Sequence, residues 1–510
     1  MNEESSTSNI ELSNSNLRSS INSSIFWSSL RLIGARFINI LQLIILARIL
    51  TPEDFGFFAI ALMVYGFAEA ISYIGFNQAL IFIKNITKDH LNTLFVVNLI
   101  RGIILFLFII IAAIPASKIL NQPISYIYIF GISLAPVITS LHNPAIIIFQ
   151  KNLNLKPELF FQLSGVLLSL ICSITIALIY PSPWALVCGV IAQQFGQLIA
   201  SYYLHPFRPK LQFNKDSFAP MANFGKWIIL SQGLKYFVVN IPNWTIGIVL
   251  GIQSLGLYRV SGRLSEALGR DFSKMITSVA FPSFSFLQDS KTKLGEVYYG
   301  SQRLVGFICF LIFGILISLP ERIVDVVLGD KWQGAVEIVF LLSILSLIQN
   351  IGSQVEVIKA SGNTKFLMIV VLIRVIIITL FIYPAILCWG IQGAIYTVII
   401  SAIITFPLSM KKVSSFTQTK VSKIIKIYIP SLFAMIFMIQ LAQYLDDFFI
   451  SNFGNLSSQG LGSLIIILSI LTMSYLLILY ILDKVLKTDI YKEINTLIFD
   501  RFQKYYTNSL

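Results

Sequence analysis

The chain has 510 residues, of which 56% are hydrophobic and only 12% are charged. A soluble globular protein carries about 25% charged residues, so this chain lacks the polar surface that water requires, and a soluble protein is excluded. The net charge of +13 is concentrated in loops between apolar segments, so no nucleic-acid partner is needed to explain it.

Apolar segments recur along the whole chain after a polar start. Residues 1–22 are rich in Ser and Asn and lack an apolar core, which predicts a disordered cytosolic tail rather than a cleavable signal peptide. A membrane-spanning helix needs about 20 mostly apolar residues. This window predicts an all-α integral membrane protein with about 14 transmembrane helices, at 23–47, 57–82, 93–117, 123–149, 159–180, 184–204, 225–250, 256–287, 300–319, 334–360, 366–387, 390–410, 424–445 and 461–482.

The charges of the predicted loops indicate an orientation. Cytosolic loops of membrane proteins carry an excess of Lys and Arg. If the amino terminus is cytosolic, every second loop is on the cytosolic side, and these loops hold most of the Lys and Arg residues between the predicted helices. The largest cluster is Lys411, Lys412, Lys420, Lys423 and Lys426. We therefore predict that both termini are cytosolic.

Two short matches suggest that the chain contains duplicated halves. LTPEDFGFF at 50–58 aligns with LGIQSLGLY at 250–258, which pairs Gly56 with Gly256, and IPASKIL at 114–120 aligns with LPERIVD at 319–325. Parallel repeats of this kind build transporters with the substrate site between the halves, although generic short helix–turn–helix loops also explain the matches. The predicted parts are a tail at 1–22, an N-lobe of six helices at 23–208, a C-lobe of six helices at 209–412, two further helices at 413–482 and a cytosolic tail at 483–510.

The predicted eighth helix carries charges that lipid does not tolerate. Its charged residues follow the spacing i, i+4, i+7, i+11 and i+15, which places them on one helix face; they are Arg259, Arg263, Glu266, Arg270 and Lys274. An Arg at the bilayer centre costs at least about 2.5 kcal/mol. We expect this stripe to face a water-filled cavity that suits an anionic substrate. The alternative is that the helix is amphipathic and lies on the cytosolic membrane surface.

Other predicted helices add cations at membrane depth. Arg31 and Arg36 lie on the first helix and Lys235 on the seventh, and these three are candidates to line the cavity. Arg101 on the third helix and Arg374 on the eleventh either line it or extend toward the membrane interface, as long side chains can.

Acidic residues are fewer within the predicted spans. Glu69 on the second helix is the clearest lone acid, and it either pairs with Arg270 or carries a coupling proton or ion. Glu266 is the second candidate coupling or ion-pair acid. The four cysteines and three histidines are scattered singly, so neither a disulfide framework nor a metal site is predicted, and no cofactor is expected.

The run IILARILTPEDFGFFAIALMVYGFAEAISYIGFNQALI at 44–81 resembles the start of the polysaccharide transporter family. These are the O-antigen (lipopolysaccharide) and capsular-type flippases of the multidrug/oligosaccharidyl-lipid/polysaccharide superfamily, which is MATE-like. Further matches follow in the family's order over nearly the whole chain: RPKLQF (208–213), LGLYRVSGRL (255–264), FPSFSFLQ (281–288), VVLGDKW (326–332) and KASGNTKF (359–366).

The resemblance implies two pseudo-symmetric six-helix lobes around a central cavity, plus two C-terminal helices. It implies a transporter rather than an enzyme, one that flips an undecaprenyl-pyrophosphate-linked oligosaccharide by alternating access for O-antigen, capsule or exopolysaccharide. Cations on the first, seventh and eighth helices would hold the pyrophosphate, and they match Arg31, Arg36, Lys235, Arg263 and Arg270, with Arg259 on the same stripe. The implied location is the bacterial inner (plasma) membrane; the implied partners are the lipid-linked substrate, membrane lipids, and a polysaccharide polymerase and other assembly proteins as candidates.

Three other functions compete with this interpretation. A multidrug antiporter shares the fold but needs intramembrane acids for organic cations, and a peptidoglycan-precursor flippase also handles a lipid pyrophosphate. A membrane glycosyltransferase or polymerase needs a sizeable outer loop, whereas Glu53 and Asp54 in the first outer loop resemble the start of a helix. Cations at membrane depth outnumber the acids, which are Glu69, Glu266, Glu337 and Glu356.

Overall fold

The computed structural model describes residues 27, 30–72, 76, 80, 86–152, 154–266, 291–351, 357–358, 363–458 and 460–486. All regular secondary structure in these ranges is helical, which confirms the predicted all-α class. The chain divides into two compact units, Met1–Gly256 and Leu257–Leu510.

The first unit is built from eight described helices. They are α1 (Leu30–Ile49), α2 (Pro52–Ser72), α3 (Lys88–Ile119), α4 (Ser125–Ser140), α5 (Pro144–Lys151), α6 (Lys156–Ile179), α7 (Trp184–Leu204) and α8 (Lys215–Val249). The next helix, α9 (252–266), begins in this unit and continues into the second.

The described helices of the second unit follow α9. They are α10 (Lys291–Ser318), α11 (Val336–Ile351), α12 (Thr364–Thr417), α13 (Val421–Lys426), α14 (Ile429–Ser458) and α15 (Leu461–Leu486). Three short helical turns, Pro320–Ile323, Val324–Leu328 and Asp330–Ala335, connect α10 to α11.

The described helices agree with a multi-pass membrane protein. Ten described helical segments are long and apolar enough to cross a membrane, with Asp330–Ile351 and Val421–Phe449 each counted as one segment. The number is eleven when the bent pair α4 and α5 is counted as one span. Each predicted helix overlaps a described one, but the total of 14 and the domain boundaries stay predictions.

α12 contains the predicted eleventh and twelfth helices in one nearly continuous helix. Its apolar part, Lys365–Thr417, has 53 residues, or about 80 Å at about 1.5 Å per residue, whereas the hydrocarbon core is about 30 Å thick. The helix breaks at Gly390, where φ is 58° and ψ is −138°, a conformation that glycine alone adopts readily. The break therefore separates two helical segments, each long enough to span a bilayer.

The predicted fourth helix is bent rather than continuous. α4 and α5 meet at an angle of 65°, because Pro144 begins the second segment and cannot donate a backbone hydrogen bond within a helix. Buried Asn143 stabilises the corner: its Oδ1 accepts from the Ala145 amide at 3.0 Å and its Nδ2 donates to the Phe207 carbonyl at 2.7 Å.

Local side-chain bonds determine where two of the helices begin. At α2, the Thr51 amide and hydroxyl donate to Asp54 Oδ2 at 2.8 and 2.7 Å, and the Asp54 amide donates back to Thr51 Oγ1 at 3.3 Å. At α3, Thr87 Oγ1 accepts from the His90 amide, while His90 Nδ1 accepts from the Thr87 amide. Such reciprocal caps satisfy amides that the first helical turn leaves unpaired. The predicted helix start at Pro52-Glu53-Asp54 is confirmed.

α3 shows how apolar residues divide between lipid and protein. Ile103, Leu107, Ile111 and Ile114 form one exposed stripe, in which Ile111 is 73% exposed. Leu105, Ile109, Ala113 and Ala116 form the opposite stripe and are buried. A large apolar surface of this kind is stable in lipid but not in water.

Candidate functional site

The charged stripe of the predicted eighth helix is present on α9 as far as the helix is described. Arg259 and Glu266 are half-buried and Arg263 is exposed. The spacing of these three residues places them within about 60° of one another around the helix axis. Arg270 and Lys274 lie outside the described residues.

The opposite face of α9 packs on α11. Val260, Leu264 and Ser265 are buried, and Ser265 Oγ donates to the Val339 carbonyl at 3.3 Å while Ser343 Oγ donates to Ser265 Oγ at 3.3 Å. This packing turns the charged face of α9 away from α11. It favours a helix embedded among membrane helices over one that lies on the membrane surface.

Arg31 of α1 is held by a buried acid in the first unit. It forms an ion pair with Glu158 at the start of α6, and Gln150 Nε2 of α5 donates to the same Oε1 of Glu158 at 2.8 Å. The Glu158 side chain is only 8% exposed, so the pair joins α1, α5 and α6 in a largely water-free setting. Arg36 lies further along α1 and is half-buried.

Glu69 of α2 is paired with Arg101 of α3. The two side chains form an ion pair and remain about a quarter exposed, at 27% and 23%. Arg101 Nε also donates to the Ser72 carbonyl at 3.0 Å and to Ser72 Oγ at 3.1 Å. Arg101 therefore joins the last turn of α2 to α3 while it neutralises the acid. Arg270, the partner considered from the sequence, lies outside the described residues.

Lys235 lies on α8, and its side chain lies outside the described part of the structure. The next residue, Tyr236, contacts α2: its hydroxyl donates to the Met63 carbonyl at 2.7 Å and accepts from Trp244 Nε1 at 3.2 Å. Tyr236 and Phe67 of α2 also stack with their ring centroids 5.8 Å apart. α8 therefore packs beside the α2 turn that precedes Glu69.

The predicted residues fall into two groups by their surroundings. Arg31 pairs with Glu158 and Glu69 pairs with Arg101 between helices of the first unit. Arg259, Arg263 and Glu266 share one face of α9. Sequence reasoning missed Glu158, whose only local signal is an acid in the first turn of a membrane helix. Within the described ranges no group of three or more His, Cys, Asp or Glu side chains is arranged to hold a metal ion.

These features define a polytopic α-helical membrane protein with ion pairs between its helices and a charged face on α9. Among solved structures, the chain is similar to the lipid II flippase MurJ in an inward closed conformation, with a TM-score of 0.71 and 13% identity over 90% of this chain and 99% of that one. It is also similar to an inward-facing multidrug resistance MATE family transporter of the MOP superfamily, with a TM-score of 0.58 and 14% identity over 78% and 99%. The chain has the fold that these proteins share.

A family model described as polysaccharide biosynthesis protein matches residues 45–337. The chain belongs to this family, and the resemblance stated from the sequence is confirmed. Among its relatives is the lipopolysaccharide biosynthesis protein WzxC of Escherichia coli, 26% identical over 64% of this chain and 67% of the relative. Another is the succinoglycan biosynthesis transport protein ExoT of Rhizobium meliloti, 22% identical over 62% and 64%.

Proposed function

We propose that this protein is a flippase that moves a lipid-linked oligosaccharide of the undecaprenyl-pyrophosphate type to the outer leaflet during surface polysaccharide biosynthesis. The observation that carries the proposal is the one-sided charge of α9. Its apolar face packs on α11, and its other face presents Arg259 and Arg263. The pyrophosphate is the part of such a lipid that the bilayer core excludes most strongly, and a cationic helix face compensates its charge during passage.

Guanidinium groups suit this task because of their geometry. Arg offers N–H donors in a planar fork that matches two phosphate oxygens at once. Arg259 and Arg263 lie one helical turn apart, which is close enough for both to engage one pyrophosphate, and Arg270 follows at helical spacing in the sequence. Alternating exposure of this face to the two sides of the membrane moves the head group without pulling it through hydrocarbon.

The names of the relatives support a role in polysaccharide export. One is a lipopolysaccharide biosynthesis protein, another a succinoglycan biosynthesis transport protein, and a third a teichuronic acid biosynthesis protein of Bacillus subtilis that is 22% identical. MurJ is named a lipid II flippase. The polymers in these names differ, so the feature we transfer to this chain is a transport role in polysaccharide biosynthesis rather than a particular sugar, and the phosphate-linked carrier is our own proposal.

The proposal includes a location and partners. The protein would act in the bacterial inner membrane with both termini in the cytosol, where lipid-linked repeat units are assembled. A polysaccharide polymerase that consumes the flipped lipid on the outer side is the proposed neighbour. No nucleic acid or cofactor enters the proposal.

The test removes the cations of α9 in the producing bacterium. We expect Arg263→Ala with Arg270→Ala to reduce surface polysaccharide at least about tenfold, since each charged hydrogen bond contributes about 1.5–3 kcal/mol, and to make the lipid-linked repeat unit accumulate. Arg263→Lys with Arg270→Lys should retain more export. The matched control is Lys411→Ala with Lys420→Ala, which removes one exposed cation from the last turns of α12 and one exposed cation just after it and should leave export unchanged.

Membrane levels of each variant are measured by immunoblotting, so that loss of export is separated from loss of protein. Normal export by the double alanine variant would show that the α9 stripe is not the substrate site. Reconstitution in liposomes with a fluorescent undecaprenyl-pyrophosphate oligosaccharide then measures flipping directly, with lipid II as the competing substrate.

A further inference from the structure

Charged groups in the interior of this protein are generally compensated. Arginines that form ion pairs with a described carboxylate include Arg31 with Glu158, Arg101 with Glu69, and Arg322 with Asp446. Such pairing is expected, because an isolated charge in a low-dielectric interior is strongly destabilising.

Arg374 departs from this pattern. Its Nε is buried and makes no hydrogen bond to any described residue, and no described carboxylate forms an ion pair with it. Arg374 lies on the eleventh residue of α12, which begins at Thr364. At about 1.5 Å per residue it is about 15 Å from the helix start, or about half the thickness of the hydrocarbon core.

The side chain of Arg374 is on the protein-facing side of α12. Ile378, Ile382 and Ala385 continue its stripe at i+4, i+8 and i+11, and all three are buried. The lipid-facing stripe lies on the opposite side and consists of Ile376, Leu380, Tyr383 and Leu387, which are 54–63% exposed. Arg374 is therefore on the side of α12 that does not face lipid.

The helices next to α12 have polar groups in their interior. α12 packs against α10 and α11, and α11 carries buried Ser346 and Asn350 near its carboxyl end. Asn350 Nδ2 donates to the Ser346 carbonyl at 2.8 Å, so this part of α11 contains buried polar groups.

We infer that Arg374 is the cation of an anion-binding site inside the second unit, and that the anion is a phosphate-bearing group. Guanidinium binds phosphate through parallel N–H donors, which compensates its charge when no carboxylate is available. The inference rests on the proposed function, which supplies the phosphate as the pyrophosphate of the lipid-linked substrate. A phospholipid head group has the same chemistry, and the test below distinguishes these two sources.

The test compares the thermal stability of purified wild type and Arg374→Leu. In the first experiment the proteins are in detergent and the probe is inorganic pyrophosphate. In the second they are in nanodiscs of phosphatidylglycerol or of phosphatidylcholine. We expect Arg374→Leu without probe to be at least as stable as wild type, because it removes an uncompensated charge. Pyrophosphate should raise the Tm of wild type, and its apparent affinity should fall at least about tenfold in Arg374→Leu. Arg374→Lys should keep part of the response.

Arg322→Leu is the matched control. It removes another interior arginine, but it leaves Asp446 without its partner, so it should lower the Tm while the response to pyrophosphate persists. A wild-type response confined to phosphatidylglycerol and lost in Arg374→Leu would assign the phosphate to a membrane lipid.

The inference is overturned if Arg374→Leu responds to the probes as wild type does, or if wild type responds to none of them. If either result occurs while the Arg263→Ala and Arg270→Ala variant loses export, the Arg374 site is refuted and the proposed function is retained. Normal export in that variant with a lost probe response in Arg374→Leu would instead refute the α9 site and keep the Arg374 site.

Discussion

Gly56 of α2 and Gly256 of α9 lie against each other backbone to backbone. A Cβ added at Gly256 would be 3.0 Å from the Gly56 amide nitrogen and would overlap the Pro52 carbonyl oxygen, and a Cβ added at Gly56 would overlap the Ile252 carbonyl oxygen. These are the same two glycines that the internal sequence match pairs. The match therefore marks a contact between the starts of two helices, where each glycine makes room for the other backbone.

This contact predicts that alanine is not tolerated at either glycine. We expect Gly56→Ala and Gly256→Ala each to destabilise the protein by at least about 1–3 kcal/mol, since the added methyl group meets backbone atoms that cannot rotate away. Thermal unfolding of the purified variants in detergent measures the change.

Gly462→Ala is the control for this pair of variants. Gly462 is an exposed helical glycine with no atom within 4 Å of an added Cβ, so alanine there should be neutral or stabilising by about 0.5–1 kcal/mol. Wild-type stability of Gly56→Ala would show that the two helices separate easily at this point.

Local patterns predicted the helices well and the charge pairs poorly. Hydropathy located every described span, and the helix start at Pro52-Glu53-Asp54 was predicted because a helix start depends on neighbours in sequence. The bend at Asn143 was missed although Pro144 and the Asn143–Ala145 cap lie at that point of the sequence. The bond from Asn143 to the Phe207 carbonyl, 64 residues away, has no local signal. The pairing of Glu158 with Arg31 joins residues 127 positions apart, and no local spacing encodes such a contact.

The Arg31–Glu158 pair predicts a strong coupling between two distant positions. Glu158→Gln alone should lower stability by about 3 kcal/mol, because it leaves a guanidinium largely buried without its counter-charge. Arg31→Gln with Glu158→Gln should cost less than the sum of the single changes. A double-mutant cycle on thermal or denaturant unfolding gives the coupling free energy.

The same cycle tests whether Arg31 also serves the substrate. If its role is only to pair with Glu158, the double variant should regain export together with stability. Export that stays low in a stable double variant would assign Arg31 a direct contact with the transported lipid. Additive single effects would contradict the ion pair itself.

The Glu69–Arg101 pair predicts a smaller change in stability and a distinct transport phenotype. Arg101→Met should cost about 1–3 kcal/mol, less than a fully buried pair because both side chains are partly exposed. Arg101→Met with Glu69→Gln should recover part of this loss. If Glu69 carries the coupling proton or ion, the double variant should be stable yet lose the response of transport to an imposed gradient, measured in liposomes. An unchanged response would restrict Glu69 to a structural role.

The break at Gly390 predicts which side of the membrane each end of α12 faces. Cys388 is exposed two residues before the break, and Lys420 is exposed just after the helix ends at Thr417. The segment between the break and Thr417 is about 40 Å long, so these two positions should lie on opposite sides of the membrane, with Lys420 in the cytosol if both termini are cytosolic.

In a background with Cys172, Cys188 and Cys309 changed to Ser, a membrane-impermeant maleimide should label Cys388 in intact spheroplasts. In the same background with Cys388→Ser, Lys420→Cys should react only after lysis. The reverse labelling pattern would invert the topology and place the lysine-rich end of α12 outside, against the charge distribution of the loops.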